Sequence, residues 1–399
     1  MASMAMTSSS PPASAIEANR LGIAALQTGD PQTAAAHFSD AVAADPRSGA
    51  LQRNLASAWR ALGDPARELA ALDAALAIDR RDLVAWMRKA ERHEAAGDKG
   101  AALAAWSAAV ALGAQLDPVP PPLEPLLRHG QAFIDGATGN MFAAASDAFG
   151  QISAGLSDTE QRRGEAFIAS ALGRRRIYQN ECAGIYYPFL PADEFFDRSH
   201  FPWFAEVEAQ TDAIRAELMA LLADPGEALR PYVRMDAGTP DSIWTDLDNR
   251  LDWGACFLWE YGEPNQPVLD RCPATAAALA AIPGARIPGR APSAFFSMLK
   301  PHTRIPPHTG VTNTRAIVHL PLIVPPGCGF RVGGETRAWE EGTAFAFDDT
   351  IEHEAWNDSD ALRAVLIFDV WNPHLTAGER DLLLRYFASA DASGYAVPR

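Results

Sequence analysis

Five of the nine histidines in this 399-residue chain, His302, His308, His319, His353 and His374, fall within 73 residues. His308 stands in Pro307-His308-Thr309-Gly310, which reads as lying just before a strand. His353 stands in Phe347-Asp348-Asp349-Thr350-Ile351-Glu352-His353-Glu354, which reads as lying just after one. Two imidazoles brought together from separate strands of a barrel suit a divalent first-row metal, and satisfied structural histidines at strand ends are the alternative reading. Ten residues after His353, Arg363 opens the apolar run Arg363-Ala364-Val365-Leu366-Ile367-Phe368. A guanidinium in such a strand must meet an anion, because an unpaired buried charge is expensive and Arg suits bidentate carboxylate binding. Asp348 and Asp349, taken alone, read as a polar turn.

The elements that would position these residues are short apolar runs at 294–299, 316–323, 330–332, 343–347 and 363–370, with Gly327, Gly329, Gly333, Gly334 and Gly342 at the turns. That pattern predicts strands of a sandwich or barrel, with a jelly roll as the natural candidate. The front of the chain is different. A Gly-Asp pair recurs at Gly29-Asp30, Gly63-Asp64 and Gly97-Asp98, an interval of 34 residues, which is the period of tetratricopeptide repeats. The same step places small residues at Gly22, Ala56 and Ala90, bulky ones at Phe38, Leu72 and Trp106, and alanines at Ala41, Ala75 and Ala109. Each set falls where two short antiparallel helices must pack. The organisation expected is a disordered tail at 1–15, three repeats at 16–117, a helical cap or linker at 118–180 and a β-rich domain at 181–399.

Composition narrows the function. Fifty Asp and Glu against 34 Lys and Arg give a net charge of −16, and an acid-rich chain without a basic run disfavours nucleic acid as a partner. Cys182, Cys256, Cys272 and Cys328 are far apart and read as reduced thiols. The N-terminus lacks the basic and apolar regions of a secretory signal, and the longest weakly apolar stretch, 101–114, is too short for a membrane span. A cytoplasmic protein is expected, with a protein, a peptide or a small molecule as partner.

In the stretch from about Asp252 to Thr376 the chain resembles the aspartyl/asparaginyl β-hydroxylases, a family of iron(II)- and 2-oxoglutarate-dependent oxygenases. The resemblance is carried by His308-Thr309-Gly310, Asn313-Thr314-Arg315, His319-Leu320, Trp339-Glu340-Glu341-Gly342, Phe347-Asp348-Asp349, Glu352-His353-Glu354 with Trp356, Arg363, and Asp369-Val370-Trp371-Asn372-Pro373. It implies a C-terminal double-stranded β-helix of jelly-roll or cupin type, behind an α-helical solenoid resembling tetratricopeptide repeats. It also implies His308 and His353 as the only protein ligands to Fe(II). Gly310 stands where related oxygenases carry a ligating carboxylate, and Asp349 would orient the water that fills that position. Ser297 and Arg363 would hold the distal carboxylate of 2-oxoglutarate, His319 would lie near its C1 carboxylate, and Arg315 would face the same pocket. Family members often carry a second arginine two positions after the one matching Arg315, and this chain has Ile317 there.

With Fe(II), 2-oxoglutarate and O2, the resemblance implies hydroxylation of an sp3 carbon. The leading expectation is the β-carbon of Asp or Asn in a peptide or protein presented by the repeats. The alternatives are a small molecule, either a free amino acid or a lipid-linked acyl chain, and an inactive repeat scaffold.

Overall fold

The computed structural model describes residues 11–393, and the chain forms two compact units, Met1–Leu156 and Ser157–Arg399. Residues 1–10 of the expected tail lie outside the described residues, and helix starts at Ala13.

The first unit is three antiparallel helix pairs, α1 (Ala13–Gln27) with α2 (Pro31–Ala44), α3 (Gly49–Ala61) with α4 (Pro65–Ile78) and α5 (Leu83–Ala95) with α6 (Lys99–Gly113), followed by the long α7 (Glu124–Ser153). The recurring Gly-Asp pair is the joint inside each helix pair. Gly29, Gly63 and Gly97 take φ of +79°, +71° and +75°, the left-handed conformation that ends a helix and that Gly adopts without steric cost. The Asp that follows caps the next helix. The side chains of Asp30, Asp64 and Asp98 accept from the backbone N–H of Thr33, Arg67 and Ala101 at 3.0, 3.0 and 3.1 Å. Phe38, Leu72 and Trp106 are buried, as are Ala41, Ala75 and Ala109, so every set found at the 34-residue step packs inside the stack. These are tetratricopeptide-like repeats. Among the described residues no helix is long and apolar enough to cross a membrane.

The second unit opens with α8 (Asp158–Ala171), α9 (Phe204–Glu208) and α10 (Thr211–Ala223), and ends with α13 (Ala377–Ala392). Between them lie β1 (Arg230–Pro231), β2 (Trp253–Glu260), β3 (Glu263–Pro264), α11 (Gln266–Leu269), α12 (Pro273–Ala281), β4 (Ala294–Leu299), β5 (Thr303–His308), β6 (Arg315–Ile323), β7 (Cys328–Val332), β8 (Glu335–Ala338), β9 (Phe345–Phe347), β10 (His353–Asn357) and β11 (Arg363–Trp371). They form a larger antiparallel sheet in the order β1-β2-β4-β11-β6-β9, with β3 beside β2, and a smaller antiparallel one in the order β5-β10-β7-β8. Strands β4 to β11 alternate between the sheets except at the β7–β8 hairpin, whose two strands both lie in the smaller sheet, the order of a double-stranded β-helix.

The larger sheet is covered on both faces, which is why its strands read as unbroken apolar runs. Phe296 and Met298 of β4, Val318 and Leu320 of β6 and Leu366 and Phe368 of β11 pack with Ile214 and Leu218 of α10 and Leu279 of α12. The intervening residues face the smaller sheet, where Leu299 and Val365 meet Ile305, Phe330, Val332 and Ala355. Side chains alternate along a strand, so Ser297, Arg315, His319, Arg363 and Asp369 all fall on this second, inner face.

The strands carrying the two metal-candidate histidines differ from the sequence expectation. His308 is the last residue of β5 and His353 the first of β10, instead of lying in loops beside strands. β5 holds Pro306 and Pro307, which remove two ladder donors, and it survives as a strand because it lies at the edge of its sheet. The expected strands at 330–332 and 343–347 run instead over Cys328–Val332 and Phe345–Phe347.

Gly63→Ala and Asp64→Ala are each expected to destabilise the repeat unit by about 1 kcal/mol, the first through left-handed strain and the second through the lost cap. The readout is a lower urea midpoint of the far-ultraviolet helical signal, and unchanged midpoints would contradict this account of the joint.

Candidate active site

His308 and His353 are direct cross-strand partners in the β5–β10 ladder, and their ring centres lie 4.1 Å apart. Their orientation is fixed from behind. His308 Nδ1 is 2.8 Å from the carbonyl oxygen of Pro306, and His353 Nδ1 is 3.0 Å from that of Ile351. A carbonyl only accepts, so each Nδ1 carries the proton and donates it, and each Nε2 keeps its lone pair. Burial holds both rings below the usual imidazole range, and His353 is lowered further by His308 beside it. Two neutral imidazoles with their outward nitrogens free, each backed by a carbonyl, are a donor set that fits a first-row divalent metal. Among the described residues no group of three or more His, Cys, Asp and Glu side chains is placed to hold a metal ion, so a metal bound here would have the two rings as its protein ligands.

The space beside them is a cavity of about 390 Å³, and it brings together all seven residues singled out in the sequence: Ser297, His308, Arg315, His319, Asp349, His353 and Arg363. Gly310 also lines it. A Cβ built on Gly310 would stand 2.1 Å from Asp349 Oδ2, so the Asp349 carboxylate occupies the room that any side chain at 310 would need. Burial, with Asp348 adding to it, pushes the Asp349 carboxyl up to about 7. Asp348 has the other role. Its carboxylate accepts from Thr350 N and Oγ1 at 3.0 and 2.6 Å and from Asn180 Nδ2 at 2.7 Å, which makes it the polar turn read in the sequence.

Arg363 is 1% exposed, and among the described residues no carboxylate pairs with it. Its Nη1 reaches Ser297 Oγ at 3.4 Å, its Nε has no partner, and its guanidinium lies 4.8 Å above the Trp339 ring. Burial pulls it down to about 10. Ser297 is itself held by Trp253, whose indole N–H donates to Oγ at 3.0 Å. His319 lies parallel to Trp339 at 5.5 Å, and its Nδ1 also lacks a partner. Burial, then the Arg363 charge, hold this ring well below the ordinary imidazole value. Two polar side chains buried beside the cavity with unsatisfied atoms fit a ligand that brings an anion and hydrogen-bond acceptors with it.

Arg315 lines the same cavity but is already paired, donating to Asp369 Oδ2 at 2.5 Å and to the carbonyl of Arg290 at 3.2 Å. Sequence reasoning assigned no role to Asp369. An acid within the apolar strand 363–371 carries the same signal that singled out Arg363, and the two lie on the same face of β11. Trp244, edge-on to His308 at 4.8 Å, and Tyr232, stacked on Trp253 at 3.9 Å, carried no comparable signal.

Comparison with known proteins finds similarity in both units. Residues 208–373 match the family model described as aspartyl/asparaginyl beta-hydroxylase, and residues 19–82 match that of the tetratricopeptide repeat. The aspartyl/asparaginyl beta-hydroxylase of Mus musculus is 39% identical over 137 residues, covering 34% of this chain and 18% of that protein. The ornithine lipid ester-linked acyl 2-hydroxylase of Rhizobium tropici is 35% identical over 196 residues, covering 48% and 66%. Aspartate beta-hydroxylase domain-containing protein 2 of Rattus norvegicus is 32% identical over 208 residues, covering 50% and 57%. The chain thus spans less than two thirds of the length of each of these relatives. It joins tetratricopeptide repeats to a domain of the aspartyl/asparaginyl β-hydroxylase family.

Proposed function

We propose that the second unit is an Fe(II)- and 2-oxoglutarate-dependent oxygenase that hydroxylates an sp3 carbon. The observation that carries this reading is Arg363, a buried cation with no protein anion among the described residues, in one cavity with two imidazoles whose Nδ1 protons go to backbone carbonyls, so that Nε2 carries the lone pair of each ring. In this reading His308 and His353 hold the metal, with their Nδ1 protons fixed on Pro306 and Ile351 so that neither ring can turn. Arg363 and Ser297 bind the distal carboxylate of 2-oxoglutarate, the anion that the guanidinium lacks within the protein. His319 supplies a hydrogen-bonding position for the C1 carboxylate through the nitrogen that has no partner. Asp349, in the room left by Gly310, accepts hydrogen bonds from water beside the two imidazoles. Bound Fe(II), with 2-oxoglutarate and O2, supplies oxidative decarboxylation to succinate and CO2 and the oxygen atom that enters the C–H bond. The apolar residues Ile305, Phe330 and Ala355 keep bulk water from this space.

The test is anaerobic titration of Fe(II) and 2-oxoglutarate into the protein while following the weak visible charge-transfer band of an iron-bound keto acid. The band is expected in the parent protein and absent in His308→Ala and His353→Ala. Its absence from the folded parent protein would overturn the reading.

Arg363→Met separates the cation from the fold. Truncating one partner of a buried charge pair costs about 2–5 kcal/mol, so the 2-oxoglutarate needed to half-develop the band is expected to rise about a hundredfold. The ligand-free variant is expected to melt at a higher temperature than the parent, because an unpaired buried charge has been removed. An unchanged 2-oxoglutarate requirement would show that Arg363 holds something else.

A further inference from the structure

With Arg363 and the three imidazoles given to metal and cosubstrate, what remains of the cavity wall is a large aromatic and aliphatic surface beside the charged groups Glu260, Arg315, Asp349 and Asp369. Tyr232 is stacked on Trp253 at 3.9 Å, Phe257 on Phe295 at 4.9 Å, and Tyr232 lies 5.2 Å from Phe295, so four rings form one continuous surface. The charged groups of the wall point the same way. Arg315 is committed to the buried Asp369, and Glu260 at 2.5 Å to Arg230, whose guanidinium lies 4.4 Å from the centre of the Phe257 ring and is neutralised there by that pair. On β6, two residues after Arg315 and on the same inner face, stands Ile317, which pairs in register with Asp369 and Phe347. A substrate carboxylate entering this space would meet the Asp349 carboxylate, the ring faces and Ile317. Once Arg363 is engaged it would find no free cation among the described lining residues.

From this wall, and resting on the oxygenase reading above, we propose that the site selects an uncharged hydrocarbon segment and discriminates against an acidic side chain. The reaction is R–H + O2 + 2-oxoglutarate → R–OH + succinate + CO2. One oxygen atom enters the C–H bond, the hydrogen remains as the hydroxyl proton, and the second oxygen atom goes to succinate. Tyr232, Phe257, Phe295 and Ile317 are the specificity residues. Each methylene laid on such a surface is worth about fourfold in affinity. A carboxylate moved from water to the same place has nothing to replace its hydration.

The experiment is isothermal titration calorimetry on the full chain. Mn(II), which is silent in the reaction, and 2-oxoglutarate are titrated first, so that failure of the oxygenase reading registers as no heat in this step. Three probes follow: N-octanoyl-glycinamide, a capped glycyl-leucyl-glycine and its glycyl-aspartyl-glycine counterpart. At least one hydrocarbon probe is expected to bind tenfold or more tightly than the aspartyl peptide. Binding of the octanoyl probe alone makes the hydrocarbon an acyl chain, and binding of the leucyl probe alone makes it a peptide side chain; both outcomes support the proposal. Ile317→Arg is expected to narrow the gap and Ile317→Leu to preserve it, while Phe257→Ala weakens the hydrocarbon probes without improving the aspartyl one. Aspartyl binding as tight as that of either hydrocarbon probe overturns the proposal, as does the failure of both hydrocarbon probes to bind.

Discussion

A guanidinium without a carboxylate, held at the centre of a β-sheet, is the constraint around which the second unit is arranged. β11 lies between β4 and β6, so Arg363 stands at the start of a strand with neighbours on both sides and an apolar core on each face. Such a charge raises the energy of the ligand-free fold. The surrounding groups reduce that cost without cancelling it: the Trp339 ring lies under the guanidinium and Ser297 Oγ meets one of its N–H groups. Six residues along the same strand, Asp369 shows the alternative, a buried charge that is matched within the protein by Arg315. The two residues differ in that the charge of Asp369 is matched within the fold and that of Arg363, among the described residues, is not.

The position of Arg363 follows from the pleat. In β11 the even-numbered residues 364, 366, 368 and 370 pack with the helices, and the odd-numbered ones face the second sheet. A slip of one residue would turn Arg363 and Asp369 into the helix-facing core and Ala364 and Leu366 toward the cavity. The apolar pattern that fixes register in β4, β6 and β11 therefore also fixes which polar groups reach the site. Folding and site assembly are one event in this sandwich, because no loop has to be ordered separately to bring Ser297, His319 and Arg363 together.

Much of this was legible in the sequence where a residue broke a pattern. The 34-residue step was readable because Gly and Asp each do a distinct job at the joint, a left-handed turn and an N-cap, that few other residues do. Arg363 was readable as a charge in an apolar strand, and Ile317 as an apolar residue where the family resemblance expects a cation. The strands carrying His308 and His353 were not readable as strands. β5 contains two prolines that only an edge position tolerates, and β10 is short and rich in polar residues. The aromatic wall was also out of reach. Tyr232, Trp253, Phe257 and Phe295 come from a loop and two strands, and aromatic residues are as common in cores as in sites, so only their packing shows that they line a cavity.

The relation between Gly310 and Asp349 explains how two imidazoles can be enough of a scaffold. A side chain at 310 and the Asp349 carboxylate compete for one volume, so the chain can supply a carboxylate from the β5 end or from the turn before β10, but not from both. Taking it from 349 places the acid four residues from His353. The backbone of that turn is tied to the β5 end, where the Gly310 N–H donates to the Asp349 carbonyl at 2.6 Å. The His308–His353 ladder pair makes a second tie and the two Nδ1–H bonds to Pro306 and Ile351 a third, so both rings and the acid are fixed before any ligand arrives. If the pair holds a metal as proposed, a further ligating side chain would add rigidity that these ties already provide, and the groups beside the pair are Asp349 and the glycine that makes room for it.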